Sequence, residues 1–128
     1  MADAASLMTA VFTDHAAAEC AYASLAARGY TPVDVRLHMA AETRDRLLAA
    51  AVRRRERDGA IAALVAALVS RRVPEERLTP YADDVREGGI VMAVTPASVR
   101  DAEELEREWR AAGATRILCP LLGGRSAA

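Results

Sequence analysis

Few side chains in this 128-residue chain carry the chemistry of a catalyst or a metal ligand. There are two cysteines, Cys20 and Cys119, and two histidines, His15 and His38. A thiol within reach of an imidazole makes a nucleophile pair, because the imidazole accepts the thiol proton. His15 and Cys20 stand five residues apart, and on a helix that spacing sends them in different directions; helical ligand pairs sit three or four apart. His38, Met39 and Cys119 are the soft donors that suit Cu(I). No loop carries paired cysteines, however, and no CxxC occurs. His15 follows the first expected strand and Cys119 closes the last. If those strands are antiparallel neighbours, the two residues fall at opposite ends. No catalytic residue, metal ligand or cofactor-binding residue is therefore expected, and the chain reads as a non-enzyme.

Arginine is the other candidate chemistry, because a guanidinium grips phosphate or carboxylate through two parallel hydrogen bonds. All 17 basic residues are Arg, and Lys, Asn and Gln are absent. Ala supplies roughly a quarter of the chain, a bias that the codons of a GC-rich genome produce. The arginines concentrate at Arg44, Arg46, Arg53, Arg54, Arg55 and Arg57, then Arg71 and Arg72. Glu42, Asp45, Glu56 and Asp58 interleave with them, and no aromatic is present for base stacking. The net charge of −1 gives no pull toward nucleic acid or an anionic membrane. A solvated, ion-paired face is expected, with the acidic run Asp101, Glu103, Glu104, Glu106 and Glu108 as its counter-charge within the chain or across a dimer. Gly123-Gly124 is not a phosphate loop, since neither a helix nor a Lys follows it.

The elements that position these residues fall into two similar halves. Leu7 to Phe12 is an apolar run that reads as a buried strand. Thr13 or Asp14 can cap the next helix, which carries Ala18, Ala21, Tyr22 and Leu25 on one face and stops at Gly29. A second strand is expected over Val33 to His38, where apolar and polar residues alternate. In the second half Ile90 to Val94 is a strand and Ser98 a cap. A helix with Val99, Ala102, Leu105, Trp109 and Ala112 on one face then stops at Gly113. Thr115 to Cys119 is the last strand. The expected architecture is α+β: a ferredoxin-like sandwich of two βαβ halves, both helices on one face of the sheet. The chain is one domain, with halves at 6–39 and 89–120, a helical insertion at 41–72, a turn and short helix at 73–88, and a tail at 121–128.

The insertion predicts two helices. The first is Arg-rich, with Leu47, Leu48 and Val52 as its apolar stripe. The second, Ala60 to Val69, is apolar nearly all round and must be buried. Thr79-Pro80 is expected to open a short helix that ends at Gly88-Gly89. The strands are nearly continuous apolar runs, so both sheet faces should be covered. Either the inserted helices or a second copy of the chain can do this. A homodimer is expected, with Ile61, Leu64, Leu68 and Tyr81 at its interface.

The stretch from Val73 to Val91 resembles a bacterial family of general stress proteins, itself similar to heat-induced stress proteins with duplicated ferredoxin-like halves. Pro74, Tyr81, Val85 and Gly88-Gly89 carry the resemblance, as does the strand–Thr-Asp–helix–Gly-Tyr pattern of Phe12 to Tyr30. The Arg-rich insertion departs from it. The resemblance implies a stress-linked, non-enzymatic role and supplies no catalytic residues. A stress-associated interaction module is thus the leading expectation, with a small-ligand-sensing domain as the alternative. Two cysteines are too few for a disulfide framework. The N-terminal residues lack a signal peptide's basic region, and no run reaches the ~18–20 apolar residues of a membrane span. A reducing cytoplasm fits these features.

Overall fold

A computed structural model describes residues 7–54, 59–68 and 72–122, with the side chains at 54 and 59–63 excepted. Four strands make one sheet: β1 (Met8–Phe12), β2 (Val35–His38), β3 (Ile90–Val94) and β4 (Arg116–Leu118). Their order is β2-β3-β1-β4, and every neighbouring pair is antiparallel. The chain is thus mixed helix and strand, as the α+β expectation holds. Helix α1 (His15–Ala27) links β1 to β2, and α6 (Val99–Ala112) links β3 to β4.

Local chemistry sets both helices. The Asp14 carboxylate accepts from the Ala17 N–H at 2.9 Å, and Ser98 Oγ accepts from the Asp101 N–H at 3.0 Å. Each satisfies a donor that the first helical turn leaves free. Both helices end in the same motif. Gly29 N–H bonds Ala26 O and Tyr30 N–H bonds Leu25 O; Gly113 N–H bonds Arg110 O and Ala114 N–H bonds Trp109 O. Such crossed bonds need a left-handed residue, and Gly29 and Gly113 have φ of +96° and +119°.

Side chains alternate across the sheet. One face carries Met8, Ala10 and Phe12 with Val35, Leu37, Ile90, Met92, Val94 and Ile117. Helices α1 and α6 cover it with Leu25, Leu105 and Trp109. The inserted helices α2 (Ala41–Arg54) and α3 (Gly59–Leu68) join this same layer through Leu47, Leu64 and Ala67. The opposite face carries Leu7, Val11, Val91 and Ala93. The described residues of the insertion join the first layer and not this face. The segment 73–88 lies on it, as helical turns α4 (Glu75–Leu78) and α5 (Ala82–Arg86) joined by a 3₁₀ turn, Thr79–Tyr81. Val73, Leu78, Tyr81 and Val85 pack onto the strands.

Three local expectations change. The second strand begins at Val35, because Pro32–Asp34 forms a 3₁₀ turn closed by Asp34 on Thr31. Thr79-Pro80 interrupts a helical run rather than opening one. Helical turns begin at Glu75, and Pro80, with no N–H to donate, breaks them. On α2, Thr43, Leu47 and Ala50 are buried, whereas Leu48 and Val52 are 38% and 64% exposed. Leu48 and Val52 lie one and five positions past Leu47, off the i, i+3, i+4 face that meets the core.

Candidate functional site

An open cleft of about 550 Å³ lies at one rim of the sheet. Its lining includes Arg28, Tyr30, Asp34, Arg36, Ser98 and Asp101. Two segments build it: the turn from the C-terminus of α1 into β2, and the turn from β3 into the N-terminus of α6. The Gly29 stop aims Arg28 and Tyr30 back at α6, and the Ser98 cap fixes Asp101 in its first turn.

Arg28 is the hub. Its guanidinium meets Asp101 at 3.0 Å, Glu104 at 2.8 Å and Glu108 at 2.6 Å. The Glu108 carboxylate bonds both Nε and Nη2, the bidentate arrangement that planar guanidinium favours. Hydrogen bonds donated to Glu108 and Glu104 push the Arg28 pKa up, and Arg28 in turn holds the Glu108 carboxyl below its ordinary value. The Tyr30 hydroxyl donates to Asp101 and accepts from the Ala97 N–H at 3.0 Å. Burial, then the Asp101 hydrogen bond, pushes its pKa up to about 12. Tyr30 is therefore a hydrogen-bonding phenol at neutral pH and not a base.

Asp34 accepts from the Thr31 N–H at 2.7 Å and hydroxyl at 3.0 Å and is otherwise open to solvent. Arg36 is 8% exposed, and its Nη1 donates to the Arg72 carbonyl at 3.3 Å. The wall thus holds two guanidiniums, Arg28 and Arg36, against two carboxylates, Asp34 and Asp101, with the hydroxyls of Tyr30, Thr95 and Ser98. Such a wall offers donors and acceptors together, with the charges balanced among the lining residues.

The residues singled out from the sequence lie elsewhere. His38 ends β2 and Cys119 follows β4, the two outer strands of the sheet, so His38, Met39 and Cys119 do not converge. No group of three metal-ligating side chains occurs among the described residues. Cys119 is buried, and burial raises its thiol pKa, the reverse of an activated thiolate. His15 lies beyond Phe12, whereas β4 runs antiparallel to β1 with Leu118 opposite Thr9, so Cys119 sits at the other end. Burial, with Arg72 nearby, holds the His38 pKa below its ordinary value.

Three of the four residues expected at an interface have described side chains. Leu64 and Tyr81 are fully buried within one chain, Leu68 is half-buried against the same core, and the Ile61 side chain lies outside the described residues. Leu64 and Ala67 of α3 are buried in the core of the same chain. Among the described residues, the acidic run on α6 is met by Arg28, Arg100 and Arg110; of the Arg-rich insertion, Arg55, Arg57, Arg71 and the side chain of Arg54 lie outside the described residues. The tail beyond 122 also lies outside them.

Sequence reasoning passed over Arg28, Tyr30, Asp34 and Arg36. Ser98-x-x-Asp101 and Thr31-x-x-Asp34 are cap patterns whose acidic members also face the cleft. Gly29-Tyr30 marked a helix end but not where Tyr30 would point. No helix is long and apolar enough to cross a membrane among the described residues. No family model, no curated protein and no solved structure matches this chain.

Proposed function

We propose that this chain is a small-ligand-binding module, with the ligand held in the rim cleft between the end of α1 and the start of α6. The cleft carries this reading: its volume suits a small molecule, and its wall balances two guanidiniums against two carboxylates. A polar solute without large net charge, zwitterionic or polyhydroxylated, matches that balance. The ferredoxin-like topology read from the sequence underlies the site. Its support is the strand order β2-β3-β1-β4, with two helical crossovers packed on one face. A stress-linked role and a bacterial origin rest on the resemblance over 73–91, and a cytoplasmic setting on cysteine usage.

A thermal-shift panel of amino acids, polyols and nucleosides tests the binding. At least one class is expected to raise Tm at saturating concentration, with a shift that persists from low to high salt because the ligand carries no net charge. Thr95→Trp, which fills the cleft, should abolish the shift. A panel with no stabilising compound, or a shift that survives Thr95→Trp, sinks the reading.

A second reading keeps the homodimeric interaction module but moves its contact. Leu48 and Val52, exposed one turn apart on α2, support a surface there in place of Leu64 and Tyr81. Native mass spectrometry decides it: a dimer that Leu48→Glu dissociates supports this reading, and a monomer at all concentrations removes it.

A further inference from the structure

The segment 73–88 differs from every other layer of the molecule in how it is held. It adds no strand to the sheet. Its helical turns span only four and five residues, far below the length at which a helix is stable without tertiary support. Its apolar contacts form two small clusters, one around Leu7, Val73 and Ala93, the other around Val11, Tyr81 and Val91, with Leu78 packed against both. Polar ties add to the attachment, among them an ion pair of Arg116 with Asp84 at 3.8 Å. Arg77 Nη1 donates to the Leu7 carbonyl at 2.8 Å, and Arg116 Nη1 to the Pro80 carbonyl at 2.6 Å. The Tyr81 and Thr9 hydroxyls share a hydrogen bond of 2.8 Å, buried between segment and sheet. The sheet beneath keeps its own ladders and a contiguous core on the other face.

We propose that residues 73–88 are a latch that opens as one unit while the sheet and its helices stay folded, with the Tyr81–Thr9 hydrogen bond as its pin. Opening uncovers Leu7, Val11, Val91 and Ala93, an apolar strip that the closed latch hides. The latch therefore sets when this chain displays an apolar surface. The inference is independent of any ligand in the rim cleft.

Native-state hydrogen exchange on the whole chain tests it, because local and global openings respond differently to mutation. The latch reporters are the amides of Glu87, Gly88 and Gly89, bonded to Asp83, Val85 and Asp84; the sheet reporters are the amides of β3. The latch amides are expected to exchange at least about tenfold faster than those of β3. Leu64→Ala, on the far face, should speed exchange in β3 and leave the latch unchanged. Tyr81→Phe and Thr9→Val should each speed the latch amides about fivefold, the loss of one buried hydrogen bond. Equal rates for latch and β3, or equal acceleration of both by Leu64→Ala, overturns the latch. Latch rates unmoved by Tyr81→Phe and Thr9→Val overturn the pin.

Discussion

The two faces of the sheet use the same strands and are covered by opposite means. On one face, helices of 10 to 14 residues bury a contiguous core around Phe12, Leu64, Leu105 and Trp109. On the other, the segment 73–88 buries only its Val73 and Tyr81 deeply, and side-chain hydrogen bonds add to their hold. The first face is stabilised by shape and area, which act without direction. The second depends on a few directional contacts, each lost at once when its geometry fails. One sheet can thus carry a permanent layer and a releasable one, and the difference lies in the length of the covering segments rather than in the strands.

The largest expected effect lies at the centre of the permanent face. Trp109 is fully buried and meets Phe12 edge-on, with ring centroids 5.7 Å apart. Trp109→Ala should cost about 4 kcal/mol. The indole Nε1 is buried with no hydrogen-bond partner among the described residues, a state that costs about 1–3 kcal/mol. Trp109→Phe removes that burden along with some volume and should lose less than about 1.5 kcal/mol. Urea unfolding followed by circular dichroism checks both. Equal losses for the two variants would show that the indole N–H is satisfied and that packing is not what holds this face.

The releasable face offers a smaller, sharper test. A Cβ on Gly89 would lie 2.8 Å from Val11 Cγ2 and 2.9 Å from the Asp84 carbonyl oxygen. Val11 can turn, but Asp84 O already accepts the Gly89 N–H at 2.8 Å and cannot retreat without losing it. Gly89→Ala should cost about 2 kcal/mol. If the faces are as different as argued, most of that loss appears as faster exchange at Glu87 and Gly88. A variant as stable as the parent would mean that the latch sits further from β1 than the contacts require.

Much of the permanent face was legible in the sequence, because its signals are local. The runs Met8–Phe12 and Ile90–Val94, the caps Asp14 and Ser98 and the stops Gly29 and Gly113 each act within a few residues of themselves. Apolar runs on both faces also required that both be covered. What covered the second face was not legible. Tyr81 meets Thr9 across 72 residues of chain, and nothing in either residue names the other. Pro80 misled for a local reason: Thr-Pro suits a helix start as well as the break between two turns that it makes here. The cleft stayed hidden for the same long-range reason. Arg28 is an ordinary helix-end arginine until α6, 73 to 80 residues later, brings Asp101 and Glu108 against it.

The smallest expected effect lies at the rim, where the two faces end and the cleft begins. Tyr30 keeps its proton in the folded chain up to a pKa of about 12, against 10.0 for an ordinary tyrosine. Between those values the unfolded chain has released the proton and the folded chain still holds it. The folded state therefore binds more protons in this window, and stability falls as pH rises through it. The contribution is complete below pH 10 and gone above about 12. Tyr22 and Tyr81 are also raised, mainly by burial, and add loss of the same sign. Tyr30→Phe isolates the rim: it should flatten the fall of Tm between these pH values and leave the remainder to Tyr22 and Tyr81. An unchanged slope would mean that Tyr30 does not hold Asp101 in the folded chain. The cleft would then lack the contact that fixes its wall, since Arg28 alone would tie the end of α1 to the start of α6.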